Sequence, residues 1–247
     1  MTREDLRRDG LAMQQRLFGT TAQPAGFANL LTEAAYGGVW CRPGLALADR
    51  MLCTIAALGV GPRLRTLRRH LASALELGLA PAAIREILVQ AALYSGFSAA
   101  EETLKLAAEV FAERGVAFPP DPPENVSLEE LERRGREMMA RVHGARATSG
   151  YAAPDNPITG ALYGTAILYG YGEIWFRPGL EPRQRALVAI AAFTALRLTE
   201  QVSKFGQSAL NLGVTREQVI EAIIQTAPYS GFPPALNALS AISAAFR

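Results

Sequence analysis

The sequence predicts an all-α protein built from two tandem copies of one helical module. Three observations carry that expectation. First, Trp40-Cys-Arg-Pro-Gly-Leu45 recurs as Trp175-Phe-Arg-Pro-Gly-Leu180, an offset of 135 residues that then holds without a gap to Tyr94-Ser-Gly-Phe97 and Tyr229-Ser-Gly-Phe232. Of the 58 positions so aligned 22 are identical, where ordinary composition gives about three or four by chance. Second, apolar residues recur at three- and four-residue spacing, as in Leu64, Leu67, Leu71, Ala74 and Leu75, and again in Ile84, Ile87, Leu88 and Ala91. Third, alanine and leucine dominate the apolar content while β-branched and aromatic residues are modest, and no alternating strand or Asn-Gly hairpin stands out.

The elements follow in order. Arg8-Asp-Gly10 before Gly19 has an echo in Arg134-Gly135 before Gly144, so each copy is expected to begin with a comparable helix. The Trp-x-Arg-Pro-Gly turn leads into a helix carrying Arg50 or Arg185, and Gly78 or Gly213 stops the next helix on a left-handed residue. Pro81 opens the following helix in the first copy, and the capping box Thr215-Arg-Glu-Gln218 opens it in the second. Four prolines between Phe118 and Pro123 remove donors and fix φ, which marks a linker. The expected division is residues 1–117, a linker over 118–126 and a second module over 127–247, opened by a capping box at Ser127-Leu-Glu-Glu130. The second copy also carries an insertion around 147–159.

Composition excludes several classes. A net charge of +2 is too balanced for a nucleic-acid partner. The longest apolar run, Ala186 to Leu196, is about half of a membrane span and reads as a core helix. Cys41 and Cys53 cannot form a disulfide framework, and an N-terminus mixing acids and bases with no apolar run behind it is not a signal peptide, so a cytoplasmic location is expected. There is no phosphate loop, His-Glu-x-x-His pair or nucleophile elbow, and two histidines in all argue against a His-rich catalytic metal centre.

The candidate chemistry lies around the repeated motif. Arg42 and Arg177, each in a fixed turn beside Trp40 or Trp175, are either carboxylate forks for a substrate or caps of a helix end. Arg50 and Arg185 sit among apolar residues, where a buried salt bridge to glutamate or a substrate contact would satisfy them. His70 borders an apolar stripe and aligns with Phe205. It is therefore inward-facing, and either hydrogen-bonded in the core or open to a cavity. Glu33 and Glu173 flank the motifs without aligning with each other, each a structural ion pair or a general acid. The basic run Arg63 to Arg69 is a solvated helix face or a means of drawing anionic substrates.

Glu33-Ala-Ala-Tyr-Gly-Gly-Val-Trp-Cys-Arg-Pro-Gly-Leu45, with Arg50, His70, Gly78 and Tyr94-Ser-Gly-Phe97, resembles the carboxymuconolactone decarboxylase family, as do the matching segments of the second copy. The resemblance implies a small helical module that assembles into oligomers, here a homo-oligomer such as a dimer or trimer of tandem chains. It further implies a lyase that decarboxylates a small carboxylated or lactone-type substrate with no cofactor. His70, Glu173 or Glu33 would supply the acid, the arginines would hold the carboxylate, and Trp40, Trp175, Tyr94 and Tyr229 would form the walls. The alternatives on the same scaffold are a cyclase, dehydratase or isomerase, and a non-catalytic binding protein. The related alkyl hydroperoxidase D-like branch needs Cys-x-x-Cys before its histidine, and those positions here are Arg63 and Thr66.

Overall fold

A computed structural model describes residues 1–22, 24–122, 126–153 and 156–246. The first copy comprises α1 (Arg3–Phe18), α2 (Ala28–Leu30), which runs into a π-helical stretch Leu31–Trp40, α3 (Leu47–Gly59), α4 (Leu64–Glu76), α5 (Pro81–Ser95) and α6 (Phe97–Glu113). The second repeats the order: α7 (Leu128–His143), α8 (Gly160–Thr165) with the π-helical stretch Ala166–Glu173, α9 (Pro182–Ala195), α10 (Thr199–Asn211), α11 (Arg216–Ser230) and α12 (Phe232–Ala245). No strand occurs among the described residues.

Helices α3 and α9 pack against each other at the centre, and every residue from Asp49 to Gly59 and from Arg185 to Thr194 is buried. Beyond the charged residues at their starts, Asp49, Arg50 and Arg185, these stretches are apolar on nearly every face, as a core helix is, and the two are covered by each other and by α5 and α11. The packing crosses over: α5 of the first copy lies against α9, and α11 of the second against α3. Each copy therefore presents a helix to the other copy's centre.

The first helix of each copy packs on a π-helical stretch. A Cβ at Gly10 or Gly37 would overlap the carbonyl of Thr32 or Leu6, and one at Gly135 or Gly172 would overlap that of Ile167 or Leu131. Only glycine permits this approach. It aligns the two first helices with Gly10 on Gly135, an offset of 125 residues.

The expected helix signals mostly match. Gly78 and Gly213 are left-handed at φ +82° and +80°, Pro81 lies in the first turn of α5, and Thr215 and Gln218 form a reciprocal capping box. At α7 only half of the expected box forms. Ser127 accepts from the Glu130 N–H, but the Glu130 carboxylate turns to Arg133 and Arg134, because two guanidiniums outcompete one backbone donor. The π-helical stretches have no counterpart in the sequence reading. The insertion forms short 3₁₀ turns at Gly144–Thr148 and Gly150–Ala152, with residues 154–155 outside the described residues. Of the expected linker, 123–125 lie outside them. Its first part is anchored by Arg85, which donates to the Pro120 carbonyl, and by Arg177, which donates to Asp121.

Candidate active site

His70 sits on α4 with 1% of its surface exposed. Its Nδ1 lies 2.8 Å from the Thr66 carbonyl oxygen. A carbonyl only accepts, so Nδ1 carries the proton and Nε2 offers a lone pair. That lone pair faces the Tyr229 hydroxyl at 3.1 Å, and the same hydroxyl accepts from the Trp40 indole N–H at 2.8 Å. The phenol therefore has a fixed polarity: it accepts from Trp40 and donates to His70. Trp40 comes from the end of the first π-helical stretch, while Tyr229 comes from α11 of the other copy. The relay exists only because the copies pack across each other.

Phe18, at the end of α1, meets the His70 ring edge-on at 5.3 Å, and Trp40 stacks on it at 6.1 Å. The Arg69 guanidinium lies 3.6 Å above the Phe18 ring, and its Nη2 is buried with no hydrogen-bond partner. Phe18, Arg69 and Ser73 also line a cavity of about 330 Å³. Phe18 is thus the wall between that cavity and His70.

Burial pushes the His70 pKa down to about 4, and the Arg69 charge adds to the effect. Burial likewise raises the Tyr229 phenol well above its ordinary value. At neutral pH both groups are uncharged. This has a consequence for stability. Free imidazole protonates near 6.5 and folded His70 near 4, so in that window the unfolded chain binds the extra proton. The stability is complete above about pH 6.5 and declines as pH falls through the folded value, by about 3 kcal/mol for His70. Urea midpoints between pH 7.5 and 4.5 should fall accordingly, and His70→Phe should flatten the slope. A flat wild-type profile would refute the neutral, buried assignment.

The equivalent place in the second copy holds Phe205. Tyr94, from α5 of the first copy, accepts from Gln90 at 3.0 Å, hydrogen-bonds Trp175 and packs at 4.4 Å on Phe193. Burial raises its phenol to about 12. Tyr94, Tyr171, Trp175, Phe193 and Phe205 line an aromatic pocket of about 260 Å³.

The arginines of the repeated motif hold the protein's own carboxylates. Arg42 donates from Nε and Nη2 to Glu221 at 2.6–3.0 Å, and Arg50, 1% exposed, donates to Glu221 at 2.9 Å, to Gln225 at 3.0 Å and to the Arg42 carbonyl at 2.7 Å. Reciprocally, Arg177 and Arg185 donate to Glu86 at 3.1–3.2 Å, with Gln90 on Arg185. Burial alone would raise Glu221, but the hydrogen bonds from Arg42 and Arg50 outweigh it and hold the carboxyl below its usual range. Glu33 accepts from Arg3 and Arg7, and Glu173 faces Arg177 at 3.6 Å. The fold thus brings together His70, Trp40 and Tyr229, and separately Tyr94 and Trp175, while Glu33 and Glu173 lie against arginines. Glu86 and Glu221 escaped the sequence reading, although their identity at the repeat offset on largely buried helices is a usable signal. Arg69 lies within the basic run Arg63 to Arg69, where nothing in its local sequence sets it apart. Among the described residues, no group of three or more His, Cys, Asp or Glu converges as metal ligands. No helix of the described residues is long and apolar enough to cross a membrane.

Two crossed copies of one helical module, with aromatic-walled sites where they meet, define the class of this protein. The chain belongs to the carboxymuconolactone decarboxylase family, whose sequence profile matches both residues 25–109 and residues 161–244. It is 36% identical over 91 residues to the 4-carboxymuconolactone decarboxylase of Acinetobacter baylyi, a stretch covering 37% of this chain and 68% of that one. It is 30% identical over 71 residues to the nitrosuccinic acid decarboxylase of Metarhizium robertsii, covering 29% of this chain and half of that relative's length. A crystal structure assigned as a gamma-carboxymuconolactone decarboxylase subunit of Burkholderia xenovorans shares the fold over 99% of this chain and 97% of that one, with a TM-score of 0.58 at 19% identity.

Proposed function

We propose that the chain is a lyase that decarboxylates a small carboxylated or lactone-type substrate, using its own side chains to move the proton. The observation that carries this reading is the Trp40–Tyr229–His70 relay, set beside a buried guanidinium nitrogen of Arg69 that lacks a partner. The relatives that bear activity names are both decarboxylases.

Substrate enters the cavity, places its carboxylate against Arg69 and displaces the Phe18 ring, which otherwise walls the cavity off from His70. That negative charge favours the imidazolium form of His70, which burial disfavours in the empty site. When the carbon–carboxylate bond breaks, its electron pair stays on carbon as a dienolate-like centre, and CO₂ leaves. The proton on His70 Nε2, directly or through the Tyr229 hydroxyl, forms the new C–H bond, and water restores it to the histidine. Trp40 and Tyr36, both buried, with Tyr36 edge-on to Phe18 at 5.8 Å, keep bulk water away, which strengthens each charge interaction. Glu86 and Glu221 keep Arg42, Arg50, Arg177 and Arg185 in a structural role on this reading. The copies act as one unit, and tandem chains assemble further into a homo-oligomer.

The aromatic pocket of the second copy favours a second reading, cyclisation, dehydration or isomerisation of a larger, more apolar substrate. One assay separates them. Purified protein incubated with 4-carboxymuconolactone in EDTA should consume the lactone and release CO₂ in equal amounts. No turnover by the folded protein would reject the decarboxylase reading for this substrate class and leave the second one.

A further inference from the structure

The offset of 125 residues set by Gly10 and Gly135 also aligns Gly19 with Gly144, and Phe18 with His143. The repeat offset of 135 aligns His70 with Phe205. The two copies therefore hold the same histidine–phenylalanine pair with its members exchanged. The rings meet edge-on in both, at 5.3 Å for Phe18–His70 and 5.0 Å for His143–Phe205. Both histidines of the chain are accounted for by this exchange.

The exchange moves the second histidine from the middle of α10 to the end of α7, and so to the edge of a cavity. His143 Nδ1 lies 2.8 Å from Ser208 Oγ, whose own proton goes to the Lys204 carbonyl at 3.0 Å. The serine therefore accepts from Nδ1, and Nε2 faces the Tyr171 hydroxyl at 2.7 Å. The polarity is that of His70 and Tyr229, built from different positions. Arg146 donates to Ser208 Oγ at 2.9 Å and to the Lys204 carbonyl at 2.9 Å, which fixes its guanidinium beside the imidazole. In the first copy the equivalent Ser73 hydroxyl is buried without a partner.

His143, Arg146, Lys204 and Tyr163 line a cavity of about 160 Å³. Pockets for drug-sized ligands run to ~300–1,000 Å³, so this one suits a small acid. Tyr163 also borders the aromatic pocket that Tyr171 lines, so the cationic cavity and the apolar one meet there. Lys204 pairs with Glu200 at 2.6 Å, which leaves Arg146 as the principal fork.

We propose that the second copy carries its own carboxylate site, in which Arg146 and Lys204 hold the acid head of a small aromatic or unsaturated acid, His143 contacts it, and the apolar body points toward the aromatic pocket. The site stands apart from the decarboxylase reading, since binding here requires no turnover.

The test is histidine C2–H proton NMR of the full chain, with the two resonances assigned from His70→Phe and His143→Gln. Benzoate is the probe and benzamide its uncharged counterpart. Burial, with the nearby Arg146 and Lys204 charges, holds the His143 pKa at about 4. A carboxylate bound to those cations should shift its resonance saturably and raise that pKa by one unit or more. Arg146→Gln, checked for an unchanged melting temperature, should weaken benzoate at least tenfold. A resonance that does not move, that moves equally with benzamide, or that keeps its affinity in Arg146→Gln would overturn the site. Binding without CO₂ release in the lactone assay would support this site and count against the decarboxylase reading alone.

Discussion

His70→Phe is expected to lower turnover by about 10²–10⁴-fold, the usual contribution of a positioned proton donor, while leaving the fold nearly as stable as before at neutral pH. The second copy supplies the reason, since it already accommodates phenylalanine at this position, as Phe205, 7% exposed among Trp175, Phe193 and His143. The change removes one hydrogen bond to Thr66 and one to Tyr229, each worth about 1 kcal/mol net. It replaces an imidazole that resists burial with a ring that favours it. Tyr229→Phe should fall between the variant and the wild type, because it removes the relay hydroxyl and leaves Nε2 open to substrate. The decisive comparison is kcat against the urea midpoint for the same samples. Parallel loss of both would reduce His70 to a core residue.

Glu221→Ala is expected to destabilise the chain by about 3–5 kcal/mol, the range for a buried ion pair that loses one member. Arg42 and Arg50 both donate to this carboxylate, and Arg50 has a further nitrogen, Nε, already buried without a partner. Removing Glu221 strands a guanidinium against the central helices, where water cannot follow it. Glu86→Ala should cost a similar amount for Arg177 and Arg185. Urea denaturation at pH 7 measures both, and a change below about 1 kcal/mol would show that the arginines find other partners. The Glu221 variant should also lose activity beyond its loss of stability, because α11 carries Tyr229 two turns further on.

The fold was legible because its signals are local and repeated. The 135-residue offset, the glycines that stop α4 and α10, Pro81 and the Thr215 cap act within a few residues of themselves, and the structure places them as expected. The π-helical stretches were not legible from local spacing, and neither was the close approach of α1 and α7 to them through Gly10, Gly37, Gly135 and Gly172. That approach is a property of two segments together. The same holds for the arginines. An Arg-Pro-Gly turn announces a fixed guanidinium, but whether a substrate or the protein fills it depends on Glu86 and Glu221 arriving from the opposite copy.

By itself the sequence determined that this chain is helical and duplicated, that His70 faces inward, and that its motifs are those of the carboxymuconolactone decarboxylase family. Only the tertiary structure decided which residues share a site. Tyr229 reaches His70 across 159 residues, and His143 stands opposite Phe205. The first of these pairings arises because two marginally different copies pack crosswise, and the second because α7 and α10 of one copy pack together. Each copy must bury its central helix, and neither can do so without the other's α5 or α11 over it. Sequence periodicity records which face of a helix is apolar. It does not record which other helix that face will meet.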